Sequence, residues 1–471
     1  MNRTPRGRRW ILVAVVTLLG GASRGATPAD SVGEARSAAI AIPGVSNPEQ
    51  LTRVAGRVLL TATGGDGSAE VWRTDGTAGG TERLVGSSPG ETFLFLSATS
   101  VGVALETADG AIRHARARTG GVDFLFRPEG ELSSARSGFR IGGKAHFFVF
   151  VGGLTEKRLE LWQVDGGPEG NRKLVELASF HPFFAFDLRV AVAPDRRSAY
   201  FFPVATDGSV GDIEDGLWRT DGSLSGTRRV VDFPCAPCFD VRVGETVVGP
   251  GGKLFYVVND FGRRFAQLWV SDGTEAGTTK LLEAPGPIEG GEIRSLARLG
   301  PRVVFSAFDL EHGQELWVSD GTETGTRRLA DLRPGRRSSR PNEITVAGSR
   351  ALFSADDGSV GRELWATDGT PQGTVRVADL RPGEPPSTPR GLTTIGSRWV
   401  FAANDGRRGV EVWVSDGTAA GTRLASDVGP GALPSYPADF VALGSELLFT
   451  ASRGGAGREL FRLPLAALGP P

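Results

Sequence analysis

Three residue types are nearly missing from this chain of 471 residues: it has one methionine, two cysteines and four histidines. The histidines, His114, His146, His181 and His312, are scattered and form no pair at metal-ligand spacing, so no histidine-based metal centre is expected. Charge of one sign is missing too. Lys and Arg total 53 against 54 Asp and Glu, a formal net charge of -1, which gives no general drive toward nucleic acid or an anionic membrane. After the first twenty residues no apolar run is long enough to span a bilayer as a helix, so no integral span is expected once the leader is removed.

What is abundant points to strands and turns. Gly and Pro number 67 and 29, many for a helical protein, and the aromatic residues are mostly Phe (26) and Trp (9). The first residues read as a secretory signal over 1–26: Arg3, Arg6, Arg8 and Arg9, then the apolar run Trp10–Leu19, then the small residues Gly20, Gly21 and Ala22, with Ala26 as a second cleavage position. This predicts a bacterial protein that is secreted, periplasmic or on the cell surface. Residues 27–50 form an N-terminal segment, and 51–471 the repeat domain.

The repeat is carried by tryptophans, each followed three residues later by Asp-Gly: Trp72/Asp75, Trp162/Asp165, Trp218/Asp221, Trp269/Asp272, Trp317/Asp320, Trp365/Asp368 and Trp413/Asp416, with Phe461 in the final copy. From Trp269 to 317, 365, 413 and Phe461 each step is 48 residues. The gap from Trp72 to Trp162 leaves room for one degenerate unit near Ala111–Ala117. Four strand-like runs per unit, in one copy Glu343–Ala347, Arg350–Ala355, Arg362–Thr367 and Thr374–Asp379, predict an all-β β-propeller of four-stranded antiparallel blades, about nine of them, with eight as the alternative. We letter the strands A to D. The run Val303–Ala307 is apolar on consecutive positions, as in a strand covered on both faces. The tryptophans then fill the gaps between blades. The last unit lacks a strand D, and the segment Ala35–Pro43 is expected to supply it and close the ring.

The recurrent Glu-Leu-Trp-x-x-Asp-Gly-Thr resembles the bacterial ELWxxDGT repeat family. The resemblance covers the predicted mature chain, is strongest from Leu268 to Phe461 and weakest between Glu91 and Arg158. It implies export and this architecture, and brings no catalytic residues with it.

Asp-Gly-Thr between strands C and D is turn chemistry, because Asp bonds local amides and Gly permits positive φ; calcium ligation by the same oxygens is the alternative. The opposite face, where the B–C and D–A connections emerge, varies between blades and carries Arg333, Arg336, Arg337, Arg340, Arg362, Arg381, Arg390, Arg407 and Arg408. These suggest a non-enzymatic binding or scaffold protein, a monomer without cofactor, that meets an anionic polysaccharide or protein surface. Two alternatives stay open: a carbohydrate-active hydrolase or lyase with carboxylates at the central channel, and a calcium-stabilised surface protein using the acidic loop of Asp207, Asp212, Glu214 and Asp215. Cys235 and Cys238, the sole cysteine pair, are expected to close a small disulfide loop. Gly86-Ser-Ser88-Pro-Gly90 matches G-x-S-x-G but is expected in a turn between strands, away from any strand-to-helix elbow.

Overall fold

A computed structural model describes residues 39–89, 94–98, 102–106, 112–116, 118–120, 122–126, 134–152, 157–164, 171–180, 186–193, 195–205, 216–232, 241–285, 293–383, 385–429, 431–454 and 457–469. The signal-peptide reading, Asp165, the acidic loop at 207–215 and the pair Cys235/Cys238 lie outside the described residues.

Short strands rich in Val, Phe, Leu and Ala, punctuated by Gly-bearing turns, pair only with their sequence neighbours. Among the described residues they make nine four-stranded antiparallel sheets. Blade seven is typical: Asn342–Ala347, Arg350–Asp356, Arg362–Thr367 and Val375–Ala378. Residues 36–471 form one compact unit. The inner A strands, in order, are Glu49–Val54, Leu94–Ala98, Ser134–Ile141, Phe186–Val192, Val241–Val248, Arg294–Leu299, Asn342–Ala347, Arg390–Ile395 and Ala438–Leu443. They lie side by side from blade two to blade nine, and the A strand of blade nine lies beside that of blade one. The β-propeller follows from this arrangement.

The ring is closed by the N-terminal strand. Ile40–Ile42 pairs antiparallel with Arg458–Pro464, in register Ile40↔Arg462, Ala41↔Phe461 and Ile42↔Leu460. It completes the ninth sheet, which would otherwise end on an unpaired edge.

The core is layered between blades. Val303, Val304, Phe305, Ser306 and Ala307 are all fully buried, as strand B of a stacked blade must be. Trp72, Trp218, Trp269, Trp317, Trp365, Trp413 and Phe461 each pack with the preceding blade. Trp218 clusters with Phe148 and Leu159 of blade three, Trp365 with Val304 and Leu299 of blade six, and Phe461 with Val400 and Val412 of blade eight. A β-bulge in the C–D ladder falls immediately before the tryptophan in all seven blades that have one, for example Leu364/Trp365. In blade two the bulge falls at Ile112/Arg113, so Arg113 stands where the others carry Trp. That is the degenerate unit expected near 111–117.

Candidate functional site

The Asp-Gly-Thr turns hold the blades together on one face. In blade seven Asp368 Oδ1 accepts from the Thr370 backbone N–H (2.8 Å) and its hydroxyl (2.7 Å). These bonds hold the Asp368 carboxyl below the usual carboxylate range. Gly369, at φ +84°, then presents its carbonyl to Arg302 Nη1 of blade six at 2.9 Å. Arg350 repeats the contact on the Gly417 carbonyl of blade eight at 3.2 Å. Asp75, Asp221, Asp272, Asp320 and Asp416 accept equivalent local bonds. Among the described residues no cluster of three or more His, Cys, Asp or Glu is placed to hold a metal ion.

The glutamate two residues before the tryptophan has its own task. Glu315, Glu363 and Glu411 are fully buried and tie down the D–A connection that follows their blade. Glu363 accepts from Leu380 N (2.9 Å), Ser387 N (2.8 Å) and Ser387 Oγ (2.6 Å). Leu332, Ser339 and, in the next blade, Val428, Ser435 repeat the set around Glu315 and Glu411. Burial raises all three carboxyls, Glu315 and Glu411 to about 7, against the opposing pull of their donors. In blades one and three the same position turns instead to its own tryptophan, Glu70 to Trp72 Nε1 and Glu160 to Trp162 Nε1, both 2.8 Å. Where the glutamate serves the loop, Trp317 Nε1 and Trp365 Nε1 are buried without a hydrogen-bond partner. An orphaned N–H costs about 1–3 kcal/mol; leaving two loop amides and a hydroxyl unpaired would cost more.

The predicted arginine face is mostly committed within the fold. Arg333 pairs with Asp356 at 2.8 Å, and Arg408 with Asp405 at 2.9 Å and Asp427 at 3.7 Å. Arg362 Nη1 donates to the Arg340 and Ser354 carbonyls. The Arg381 side chain lies within 3.0–3.4 Å of where a Cβ on Gly406 would stand, and the Arg390 guanidinium lies over the Tyr436 ring. Arg336, Arg337, Arg340 and Arg407 are exposed. Ser88 lies in the outer strand Glu82–Pro89 rather than in a turn, and Gly90 is outside the described residues.

An open cavity lies on the inner wall. The A strands bulge at Arg294/Ala297, Asn342/Thr345, Arg390/Thr393 and Ala438/Val441, and Val243/Thr246 bulges similarly in blade five. Each bulge takes backbone groups out of the ladder. Neighbouring blades use them. Glu245 Oε2 accepts from Leu296 N at 2.8 Å, and Glu343 Oε2 from Leu392 N at 3.1 Å. Ser295 Oγ accepts from Glu343 N (3.1 Å) and donates to Asn342 Oδ1 (3.2 Å). Glu245, Ser295, Asn342, Glu343 and Thr345 line a cavity of about 400 Å³ spanning blades five to eight. Two carboxylates, a hydroxyl pair and an amide therefore open into one polar space. None of these residues stood out in the sequence reading. Their signal is the 48-residue step itself: Ser295, Glu343, Gly391 and Asp439 occupy one position of the inner strand, and each blade fills it differently.

No family model matches the chain, and no curated protein matches it. Among solved structures it is similar to a puromycin hydrolase (17% identity, 77% of this chain and 59% of that chain, TM-score 0.39). It is also similar to a prolyl endopeptidase (11%, 77% and 55%, 0.41) and to a putative dipeptidyl aminopeptidase IV from Bacteroides ovatus (9%, 87% and 66%, 0.46). The chain thus spans less than two thirds of the length of the first two. The expectation of a non-enzymatic scaffold reading an anionic surface through its arginines is corrected: Arg333, Arg362 and Arg408 are held by groups of the propeller itself.

Proposed function

We propose that the chain is a hydrolase acting on a saccharide held in the inner-wall cavity, with Glu245 and Glu343 as its carboxyl pair. The observation that carries this reading is their convergence: glutamates from blades five and seven line one cavity. Each is oriented through a single carboxylate oxygen by a backbone N–H of the following blade. Glycoside hydrolysis needs one carboxyl to protonate the leaving oxygen and a second to act as nucleophile or to activate water. The Asn342 amide N–H groups can donate to sugar hydroxyls, and the hydroxyl oxygens of Ser295 and Thr345, whose protons are used within the fold, can accept from them. Export, read from the arginines and apolar run of the first twenty residues, belongs to the same proposal, since polymeric saccharides are met outside the cytoplasm.

The test is turnover of a panel of nitrophenyl glycosides and release of reducing ends from polysaccharides. The wild-type protein should cleave at least one, and Glu245→Gln and Glu343→Gln should each lower kcat by about 100-fold or more. Gln keeps an acceptor for the Leu296 or Leu392 amide, so the blades stay joined. An inactive wild type, or two fully active variants, would sink the assignment.

A further inference from the structure

Blade eight interrupts the inner wall. Where its neighbours carry Glu343 and Asp439, it has Gly391 at φ +64°. A Cβ there would come no closer than 3.8 Å to Phe440 Cε2, so space rather than close packing surrounds the position. The cavity runs along Gly391, Leu392 and Thr393. Immediately before Gly391, Arg390 is exposed, and its guanidinium carbon sits 5.2 Å from the centroid of the Tyr436 ring.

Tyr436 combines an exposed ring with a fixed backbone. The chain has three tyrosines; Tyr200 and Tyr256 are buried, whereas Tyr436 is 47% exposed. It adopts φ +48°, a left-handed conformation uncommon for a residue with a bulky side chain. Its backbone is fixed on both sides: its N–H donates to the Val410 carbonyl, and Arg458 Nη1 donates to its own carbonyl, both at 3.2 Å. The equivalent residues one and two blades earlier, Thr388 and Arg340, share the conformation at φ +47° and +48°. The backbone shape belongs to the repeat; the aromatic ring belongs to this blade alone of the three. Leu433, 54% exposed, lies on the same connection.

We propose that Tyr436 and Arg390 form a second saccharide subsite on the rim beside Gly391, where the ring stacks against the C–H face of a pyranose unit. This rests on the saccharide reading of the cavity, and it extends the ligand to an oligosaccharide of at least two units. An exposed ring with a fixed backbone loses little entropy on stacking, and the Arg390 guanidinium over the ring steadies it.

Binding to the purified protein, measured by calorimetry and saturation-transfer NMR, separates this from the catalytic claim. The probes are cellotriose, maltotriose and chitotriose with their monosaccharides. At least one trisaccharide should bind, Tyr436→Ala should raise its Kd about tenfold, and Tyr436→Phe should stay within about twofold. The matching monosaccharide should bind wild type and Tyr436→Ala alike. A trisaccharide that binds Tyr436→Ala as tightly as wild type, or no trisaccharide binding, would overturn the subsite. Binding with that pattern but without any turnover would leave the subsite standing and defeat the hydrolase reading instead.

Discussion

Ser339 Oγ donates to Glu315 Oε2 at 2.6 Å, and both residues are completely buried at the junction of blade six with the connection into blade seven. The same pair recurs as Ser387 with Glu363 and Ser435 with Glu411. Each glutamate is the anchor of a loop that would otherwise carry unpaired backbone amides in the interior. Ser387→Ala removes one charge-assisted bond and should cost about 1–2 kcal/mol. Glu363→Ala also orphans the Leu380 and Ser387 amides and should cost about 3–5 kcal/mol. Urea unfolding of the two variants should rank them in that order; equal losses would mean the serine alone holds the loop.

The same burial sets a pH dependence. Glu315 and Glu411 have carboxyls raised to about 7 from 4.5. Below pH 4.5 both the folded and the unfolded chain hold these protons, and the contribution of these two glutamates is complete. Between 4.5 and about 7 the folded chain keeps protons that the unfolded chain has released, so stability falls as pH rises, then levels off. The loss is on the order of 3 kcal/mol per glutamate. Unfolding free energies of wild type should drop between pH 5 and pH 8, whereas the Glu315→Gln/Glu411→Gln double variant should show a flatter profile. Parallel profiles would assign the titration elsewhere.

Period and composition carried most of the fold. The 48-residue step of Trp and Asp-Gly locates strands C and D, and the missing strand after Phe461 locates the closing strand near Ile42. Side-chain direction was not readable in the same way. A β-bulge leaves no residue signature of its own, so the register shifts of the inner strands around Ser295, Glu343 and Gly391 are hidden in the sequence, and with them the cavity. Arginines such as Arg333 look like a surface in the sequence because Asp356, their partner, is 23 residues away on another strand. The motif glutamate was overlooked for a related reason: its acceptors' partners, such as Ser387, lie 24 residues on.

The orphaned indole of Trp365 gives a contrast with Trp162. Trp162 Nε1 serves the buried carboxylate of Glu160, whereas Trp365, which fills the gap to blade six, has an Nε1 that serves nothing. Trp365→Ala should cost about 3–5 kcal/mol through the cavity it leaves. Trp365→Phe loses only ring area, whereas Trp162→Phe also strips a donor from Glu160, so the second should cost about 1 kcal/mol more. Thermal melts of the two Phe variants test the order, and the reverse order would deny the indole bond any weight.

The blade-to-blade latch at Gly369 predicts a backbone effect rather than a packing one. At φ +84° any Cβ is strained, and here it would also meet Leu299 Cδ2 at 3.4 Å. Gly369→Ala should therefore destabilise by about 1–2 kcal/mol while leaving the Asp368 turn bonds in place. Arg302→Met, which keeps the stem and removes only the donor to the Gly369 carbonyl, should cost about 1 kcal/mol. If Arg302→Met is silent in denaturant melts, the latch is geometric and the glycine alone matters.

Ring closure makes the largest demand on a few residues. Ile42 and Val45 are buried against Leu448 and Leu460, and three residue pairs join Ile40–Ile42 to the last blade's strand C. Deleting residues 39–43 would remove that strand and leave Arg458–Pro464 as an open edge bearing unpaired N–H and C=O groups. Blade nine also meets blade one along Glu49–Val54 and Ala438–Leu443, so the ring would lose one strand of the closing sheet while keeping its neighbour contact. The truncated protein should therefore stay folded at low concentration but self-associate through the exposed edge, with a melting temperature that depends on concentration. Sedimentation velocity at several loadings reads this out. A monomer with wild-type stability would show that the closing strand is dispensable. Lys substituted for Ala41 in the full chain offers the complementary reading: strand pairing survives a single half-buried charge, so the protein should remain monomeric with a modest loss of stability.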